Sequence, residues 1–293
     1  MSMRVTALLL ALAASLPAAE PAPPPYVVRL LAIGHEPERK YKLRSDGFYD
    51  MLELDPREMP PQALFLRLPA LPVALPGPKR VARIRCGVQL NAVQETALPA
   101  TVPPEAPLPI ELEVVKPGAD GAKGPAERTY DEIGEIKRAA DSTSALVILY
   151  NPVGRKSWDA VKPFVIDTSE RALPPGTILL YNLCPESLVA QVGSPNAGTL
   201  APAQSAFVRP SVSASGQFGL KLVLMRNREE VQLVDSQRDL PPGSRGLLVV
   251  YPVPGNRNAR AADFVLYIFP PDPKPETVAA PVPGPAGAKA AVR

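Results

Sequence analysis

Histidine is all but missing from this chain of 293 residues, with His35 the only one. That scarcity excludes histidine-based metal clusters and leaves a single conceivable partner for a serine or cysteine nucleophile. His35 lies in IGHEPE, just past an apolar run, and reads as a loop residue with no nucleophile to serve. Cysteine occurs twice, at Cys86 and Cys184, far from any metal-ligand spacing. Two readings of the pair stand: buried inert thiols, or a disulfide tying the two halves of the chain in an oxidising compartment. Aromatics make up 5% of the residues against 46% hydrophobic, so a sizeable core is aliphatic.

Charge of one sign is also lacking. The formal net charge is +3, and a leader carrying only Arg4 would leave +2 on its removal. This gives no electrostatic case for a nucleic-acid partner or for a membrane-surface role. Long hydrophobic runs are confined to the N-terminus. Arg4 followed by VTALLLALAASL, Val5 to Leu16, and then by Ala18 and Ala19, predicts a secretory signal over 1–19. A retained anchor is the alternative reading. With the signal goes a secreted, periplasmic or cell-envelope location. No later stretch approaches the ~18 apolar residues of a membrane-spanning helix.

What is present in excess is proline, 39 residues where average usage gives roughly 15. Proline lacks an N–H and fixes φ, so it breaks helix interiors and central strands. Between the prolines lie short apolar runs: YVVRLLAI from Tyr26, QALFLRL from Gln62, LPIELEVV from Leu108, ALVILY from Ala145, TILLYNL from Thr177, GLLVVY from Gly246 and DFVLYIF from Asp263. In RVARIRCGV the residues Ala82, Ile84, Cys86 and Val88 share one face, and Arg83 and Arg85 the other. From Phe218 the chain alternates in the same way. Several other runs are apolar on both faces, which suits strands buried between two layers.

Short strands at intervals of ~8–15 residues with Gly/Pro turns predict an all-β fold. We expect two tandem β-sandwich domains, Ig-like or similar, over 26–115 and 143–270. A Pro-rich spacer occupies 20–25, and a tail over 271–293 too rich in Pro, Ala and Gly to fold follows. The interval 116–142 reads as a linker. Within it Tyr130, Ile133 and Ile136 fall at helical spacing, which predicts a short helix over Glu127 to Ala140.

One phrase nearly recurs: MPPQALFLRL from Met59, LPPGTILLYNL from Leu173 and LPPGSRGLLVV from Leu240. Paired prolines hold a connection extended, and Gly176 and Gly243 supply the positive φ of a tight turn. The phrase reads as a hairpin device used several times, or as a relic of duplication.

Catalytic constellations are sparse. VGSPN around Ser194 lacks the second glycine of a nucleophile elbow, and GRKS at Gly154 lacks the earlier glycine of a phosphate loop. Glu53/Asp55 and Glu111/Glu113 could pair as acids, but alternation on a solvated face produces such pairs unaided. Candidate contacts for a partner or ligand are Trp158 with its neighbours Arg155 and Lys156, and the basic stretch Lys40, Tyr41 and Lys42. The chain therefore reads as a non-catalytic envelope protein without cofactor or metal, whose partner is another envelope protein or a glycan. Two further readings remain: an assembly factor that accepts a client strand at an open sheet edge, and a carboxylate-dependent hydrolase.

Overall fold

The computed structural model describes residues 25–34, 37, 39–69, 81–99, 101–103, 105–116, 127–139, 141–155, 157–194, 198–253 and 262–272. The expected signal over 1–19, most of the spacer, His35, Lys156 and the tail from 273 lie outside them. Among the described residues the chain is all-β, with no α-helix and one 3-10 turn, Pro56–Glu58, capped by the Asp55 carboxylate. No helix among them is long and apolar enough to cross a membrane. Residues 25–272 form one compact unit.

The strands are β1 Val27–Ile33, β2 Tyr41–Leu43, β3 Tyr49–Met51, β4 Ala63–Arg67, β5 Arg83–Gly87, β6 Val93–Ala97, β7 Leu108–Lys116, β8 Glu127–Ile136 and β9 Ser144–Tyr150. The remainder are β10 Pro163–Asp167, β11 Ile178–Asn182, β12 Ser187–Val192, β13 Gly198–Leu200, β14 Ser205–Val208, β15 Gln217–Arg226, β16 Glu229–Asp239, β17 Arg245–Pro252 and β18 Ala262–Phe269. They build four four-stranded sheets and one ribbon. Sheet I has the order β10-β9-β1-β6, sheet II β5-β4-β7-β8, sheet III β14-β11-β17-β18 and sheet IV β13-β12-β15-β16; β2 and β3 pair only with each other.

Three cores follow from the alternation of side chains. Val28, Leu30 and Ala32 of β1 and Ala145, Val147 and Leu149 of β9 pack with Leu64, Leu66, Leu108 and Ile110 of sheet II. The opposite faces of the same strands, Leu31, Ile33, Leu146 and Ile148, pack with Leu179, Leu247, Val249 and Tyr251 of sheet III. The other side of sheet III, Ile178, Leu180, Leu248 and Val250, meets Leu220, Leu222 and Leu224 of sheet IV. The layers therefore run II, I, III, IV, and the two middle sheets are buried on both faces. That is why β1, β9 and β17 read as continuous apolar runs, while β15 and β5 alternate.

The sheets match pairwise in topology. In sheet I the central strands β1 and β9 are parallel, flanked by antiparallel β6 and β10. In sheet III the central strands β11 and β17 are parallel, flanked by antiparallel β14 and β18. Sheets II and IV are antiparallel throughout. Taking β1, β4 through β10 against β11 through β18 in order, every pairing of the first series recurs in the second. The correspondence extends to a bulge between β7 and β8 at Ile110/Glu111 and another between β15 and β16 at Leu222/Val223. The first series draws β9 and β10 from beyond the interval 116–142, so that interval runs inside it.

Two expectations are corrected here. The predicted helix over Glu127 to Ala140 is strand β8, paired with β7 along its whole length. The bulge explains the misreading. Tyr130 pairs with Glu113 and Ile136 with Leu108, but between them Ile133 is the extra residue, so the strand changes parity and imitates a three-residue period. The repeated Pro-Pro phrase is not a hairpin device in its two glycine-bearing copies. These lead into β11 and β17, which are parallel neighbours with Ile178 beside Gly246. Each copy makes a tight turn, Thr177 N–H to Pro174 O at 3.1 Å and Ser244 N–H to Pro241 O at 3.0 Å. Gly176 and Gly243 sit at φ +74° and +77°. The two turns also bond each other, Gly176 N–H donating to Ser244 O at 2.7 Å.

Candidate functional site

A concavity among the described residues lies at the rim of the core between sheets I and III. Its volume is about 360 Å³, and its lining is Arg171, Ala172, Pro174, Thr177, Phe207 and Arg209. Arg171 and Ala172 belong to the connection from β10 to β11, which is tightened by Leu173 N–H donating to Ser169 O at 2.8 Å. Leu173 is buried in the core beneath, which anchors the loop. Pro174 and Thr177 belong to the first glycine-bearing turn. Phe207 stands on edge strand β14 opposite Leu179. Ala206 and Val208 turn to the core with sheet IV, so Phe207 faces the other way and its ring is exposed.

The two guanidinium groups differ. Arg171 pairs with Asp141, and that hydrogen bond holds the Asp141 carboxyl below its ordinary value. Arg209 is exposed and makes no ion pair or hydrogen bond among the described residues. A free planar guanidinium offers two parallel N–H donors matched to a carboxylate. Beside it, the Phe207 and Pro174 rings offer flat apolar surface of the kind a sugar ring stacks on. Thr177 is buried against this wall. A second concavity, about 160 Å³ on the outer face of sheet IV between Val189, Lys221 and Glu230, is too small for more than a few atoms.

The residues singled out from sequence fall elsewhere. Trp158 is 4% exposed and belongs to the core of sheets I and II. Its ring lies so close to Gly34 that a Cβ there would stand 3.0 Å from Trp158 Cζ2. No face remains for a ligand, so the contact expected of Trp158 is withdrawn. Arg155 is exposed and spends a donor on Ala160 O at 3.2 Å within its own loop. Lys40, Tyr41 and Lys42 are exposed and together, at the start of the β2–β3 ribbon, which is separate from the rim pocket in sequence and in pairing.

The disulfide is likewise corrected. Cys86 and Cys184 are both free and both buried, the first in the core of sheets I and II, the second in that of sheets III and IV. Two sheets separate them, beyond the reach of an S–S bond. Burial raises both thiols, that of Cys184 to about 12.

Among the carboxylates, Glu111 is 2% exposed and clamped by Arg67 at 3.1 Å and Arg83 at 2.5 Å. Arg83 in turn lies over the Tyr130 ring at 4.1 Å. An acid so fully paired braces sheet II. Glu113 pairs with Arg128. Among the described residues no group of three His, Cys, Asp or Glu side chains could hold a metal.

Sequence reasoning missed Arg171, Arg209 and Phe207. The signal was local: in SAFVRP an aromatic and an arginine alternate outward around an inward valine. It was hidden because β14 was not recognised as a strand. No family model matches the chain, and no curated protein matches it.

Proposed function

We propose that the chain is a non-catalytic extracytoplasmic binding module, built from two tandem Ig-like β-sandwiches, whose ligand is an acidic glycan. The sandwiches are sheets I with II and sheets III with IV. Arg4 followed by the apolar run Val5 to Leu16, with the spacing of a secretory signal, supports the location. The observation that carries the ligand class is the rim pocket, where unpaired Arg209 stands beside the exposed Phe207 ring. A carboxylate on a pyranose ring answers both features at once: charge to the guanidinium, ring face to the aromatic. A junction between domains is a common place for such a site.

The strand-accepting reading has less behind it. The two longest edge strands carry frequent charges, Glu127, Arg128, Asp131 and Glu135 on β8 and Glu229, Glu230, Asp235 and Arg238 on β16, whereas the shorter edge strand β18 carries only Asp263. Such charges and the bulges guard an edge against added strands.

Calorimetric titration with uronic-acid oligosaccharides and with neutral oligosaccharides of equal length tests the proposal. Binding of the acidic series alone is expected, weakened at least tenfold by Arg209→Ala. Equal affinity for the neutral series, or an Arg209→Ala chain that binds unchanged, overturns it. Release of reducing ends from the acidic series, lost on Glu111→Gln, would assign a hydrolase instead.

A further inference from the structure

Strand β18 is an edge of sheet III and carries few of the guards that edges usually have. Its eight residues, ADFVLYIF, hold one charge, Asp263, and no proline, and its ladder with β17 runs without a bulge. The corresponding edge of the first series is shielded. There β10 opens on Pro163, and β8 lies so close that a Cβ on Gly134 would stand 2.8 Å from Pro163 Cγ. In the second series β16 reaches β18 through a side chain, Arg238 standing 5.8 Å over the Phe264 ring.

The hydrogen bonds of β17 fix which way β18 offers its backbone. Val250 O accepts from Leu183 N–H at 2.8 Å, and Gly246 N–H donates to Thr177 O at 2.8 Å, both on the β11 side. Opposite these two on β18 stand Phe264 and Ile268, and Pro252, which has no N–H, stands opposite Ala262. These are the non-hydrogen-bonded pairs of the ladder. Phe264, Leu266 and Ile268 therefore point N–H and C=O away from β17. The Phe264 N–H is met by the Asp263 carboxylate at 2.8 Å. Leu266 and Ile268 spend these groups on no other described residue. Phe264, Leu266 and Ile268 pack toward sheet IV, Val265 and Tyr267 toward sheet I, and all five are half-buried.

We propose that β18 pairs antiparallel with β18 of a second copy of the chain, about a dyad at Leu266, so that sheet III continues through both copies. Self-complementarity selects that occupant. The dyad sets Leu266 opposite the partner's Leu266 and Phe264 opposite the partner's Ile268. These are the residues whose backbone groups face outward, so each such pair exchanges both of its N–H···O bonds. On the other face Val265 meets the partner's Tyr267. Asp263 falls opposite the partner's Phe269, so no like charges meet along the strand. A client segment of another protein fits less well, because one carboxylate near the strand end is all the charge the edge offers to select it. A single strand pair is narrower than a standard interface of ~800 Å² per partner, so the dimer is reversible. Phe207 of the rim pocket stands on β14, the opposite edge of sheet III, so the pairing does not depend on that pocket or its ligand.

Sedimentation equilibrium of the chain from Glu20 onward tests it; Val5 to Leu16 is left out because it would itself associate. A monomer–dimer equilibrium at micromolar concentrations is expected. Leu266→Lys and Leu266→Glu should each weaken it at least tenfold by setting like charges face to face at the dyad, and an equimolar mixture of the two variants should restore it as a heterodimer. Leu266 is half-buried, so a long side chain there can carry its charge outward. Amide exchange reads the unaltered chain, so the outcome does not hang on the variants folding. The Leu266 and Ile268 amides should gain protection as concentration rises, while those of Val265 and Tyr267, bonded to β17, stay protected throughout. Four results overturn the proposal: a monomer at every concentration, a dimer that survives both substitutions, folded variants that do not associate when mixed, or Leu266 and Ile268 amides already protected in the monomer, which would mean that another segment of the chain holds the edge.

Discussion

Replacing Arg245 with methionine should loosen the point where the two halves meet. Arg245 opens β17 with its side chain fully buried. Its Nε donates to Thr168 O at 2.9 Å, Nη1 lies 3.5 Å from both Glu170 Oε1 and Pro270 O, and Nη2 donates to Asp272 Oδ1. Asp272 also accepts from Thr143 Oγ1 at 2.7 Å. One guanidinium thus joins the β10–β11 connection, the start of β17 and the segment after β18, and reaches through Asp272 to the residue before β9. Methionine keeps most of the aliphatic stem, so the loss is chiefly electrostatic. Breaking a fully buried pair costs about 3–5 kcal/mol. The Asp272 side chain is 20% exposed and that of Glu170 42%, so water recovers part of the loss. We expect about 2–3 kcal/mol, or a fall in Tm of roughly 5–10 °C for a unit of this size. Acid provides a second reading. Burial raises the Asp272 carboxyl, but its bonds to Arg245 and Thr143 outweigh that and hold it below its ordinary 3.8. A lowered folded value means that the stabilisation is present above pH 3.8 and is lost as pH falls through the folded value. Urea unfolding at pH 7 and at pH 3 should therefore separate parent and Arg245→Met chains at neutral pH and show a smaller gap in acid. A double cycle with Asp272→Asn should show coupling above about 1 kcal/mol. A variant with parental Tm, or one whose deficit is equally large at pH 3, refutes the role given to this residue.

Three further outcomes follow from packing. Thiol titration of the native chain should find neither cysteine reactive at pH 8, and unfolding without reductant should release both; none would restore the disulfide. Gly193→Ala should cost about 2–4 kcal/mol in denaturant unfolding, because Gly193 sits at φ +63° and a Cβ would meet Pro210 Cα and Ser211 N at 2.8 Å. Gly154→Ala, at φ +91° with open space around it, should cost only about 1 kcal/mol, and equal losses at the two sites would count against the packing described. Glu111→Gln should lower stability by about 2–3 kcal/mol in the same assay by removing the buried charge that Arg83 and Arg67 clamp, Arg67 keeping only its bond to Glu132, and no change would mean that the clamp is incidental.

The strands easiest to read in the sequence were those whose burial is unambiguous. ALVILY and GLLVVY are apolar at every position because the sheets that hold them are covered on both sides. RVARIRCGV alternates because sheet II has one solvated face; Cys86 and Ile84 pack inward as the pattern implies. β6 (VQETA) and β14 (SAFV) were overlooked because an edge strand is paired along one side only and tolerates polar residues. β8 was misread because a single bulged residue, Ile133, changes its parity. The rim pocket was illegible for a different reason. Arg171 and Phe207 come from segments 36 positions apart, and only the pairing of β11 with β14 brings them together.

The shared strand order also suggests where function should be sought. Whatever both series possess, such as the parallel central pair, the antiparallel outer sheet and the bulge in its last two strands, is accounted for by burying the apolar layers between the sheets. The nearest echo in the sequence, LPPGT against LPPGS, lies within the second series and serves two strands that touch, so it reports local geometry rather than copying. What one series has and the other lacks is not required by the core. By that criterion the β2–β3 hairpin stands out, since the second series closes the same connection without it. The Arg171–Arg209 rim stands out too, since it exists only where the second series meets the connection from the first. A hairpin that exposes two tyrosines, a phenylalanine, a leucine and a methionine carries a cost in solubility that folding does not repay. Deleting the hairpin should therefore leave the three cores intact, with an unchanged melt.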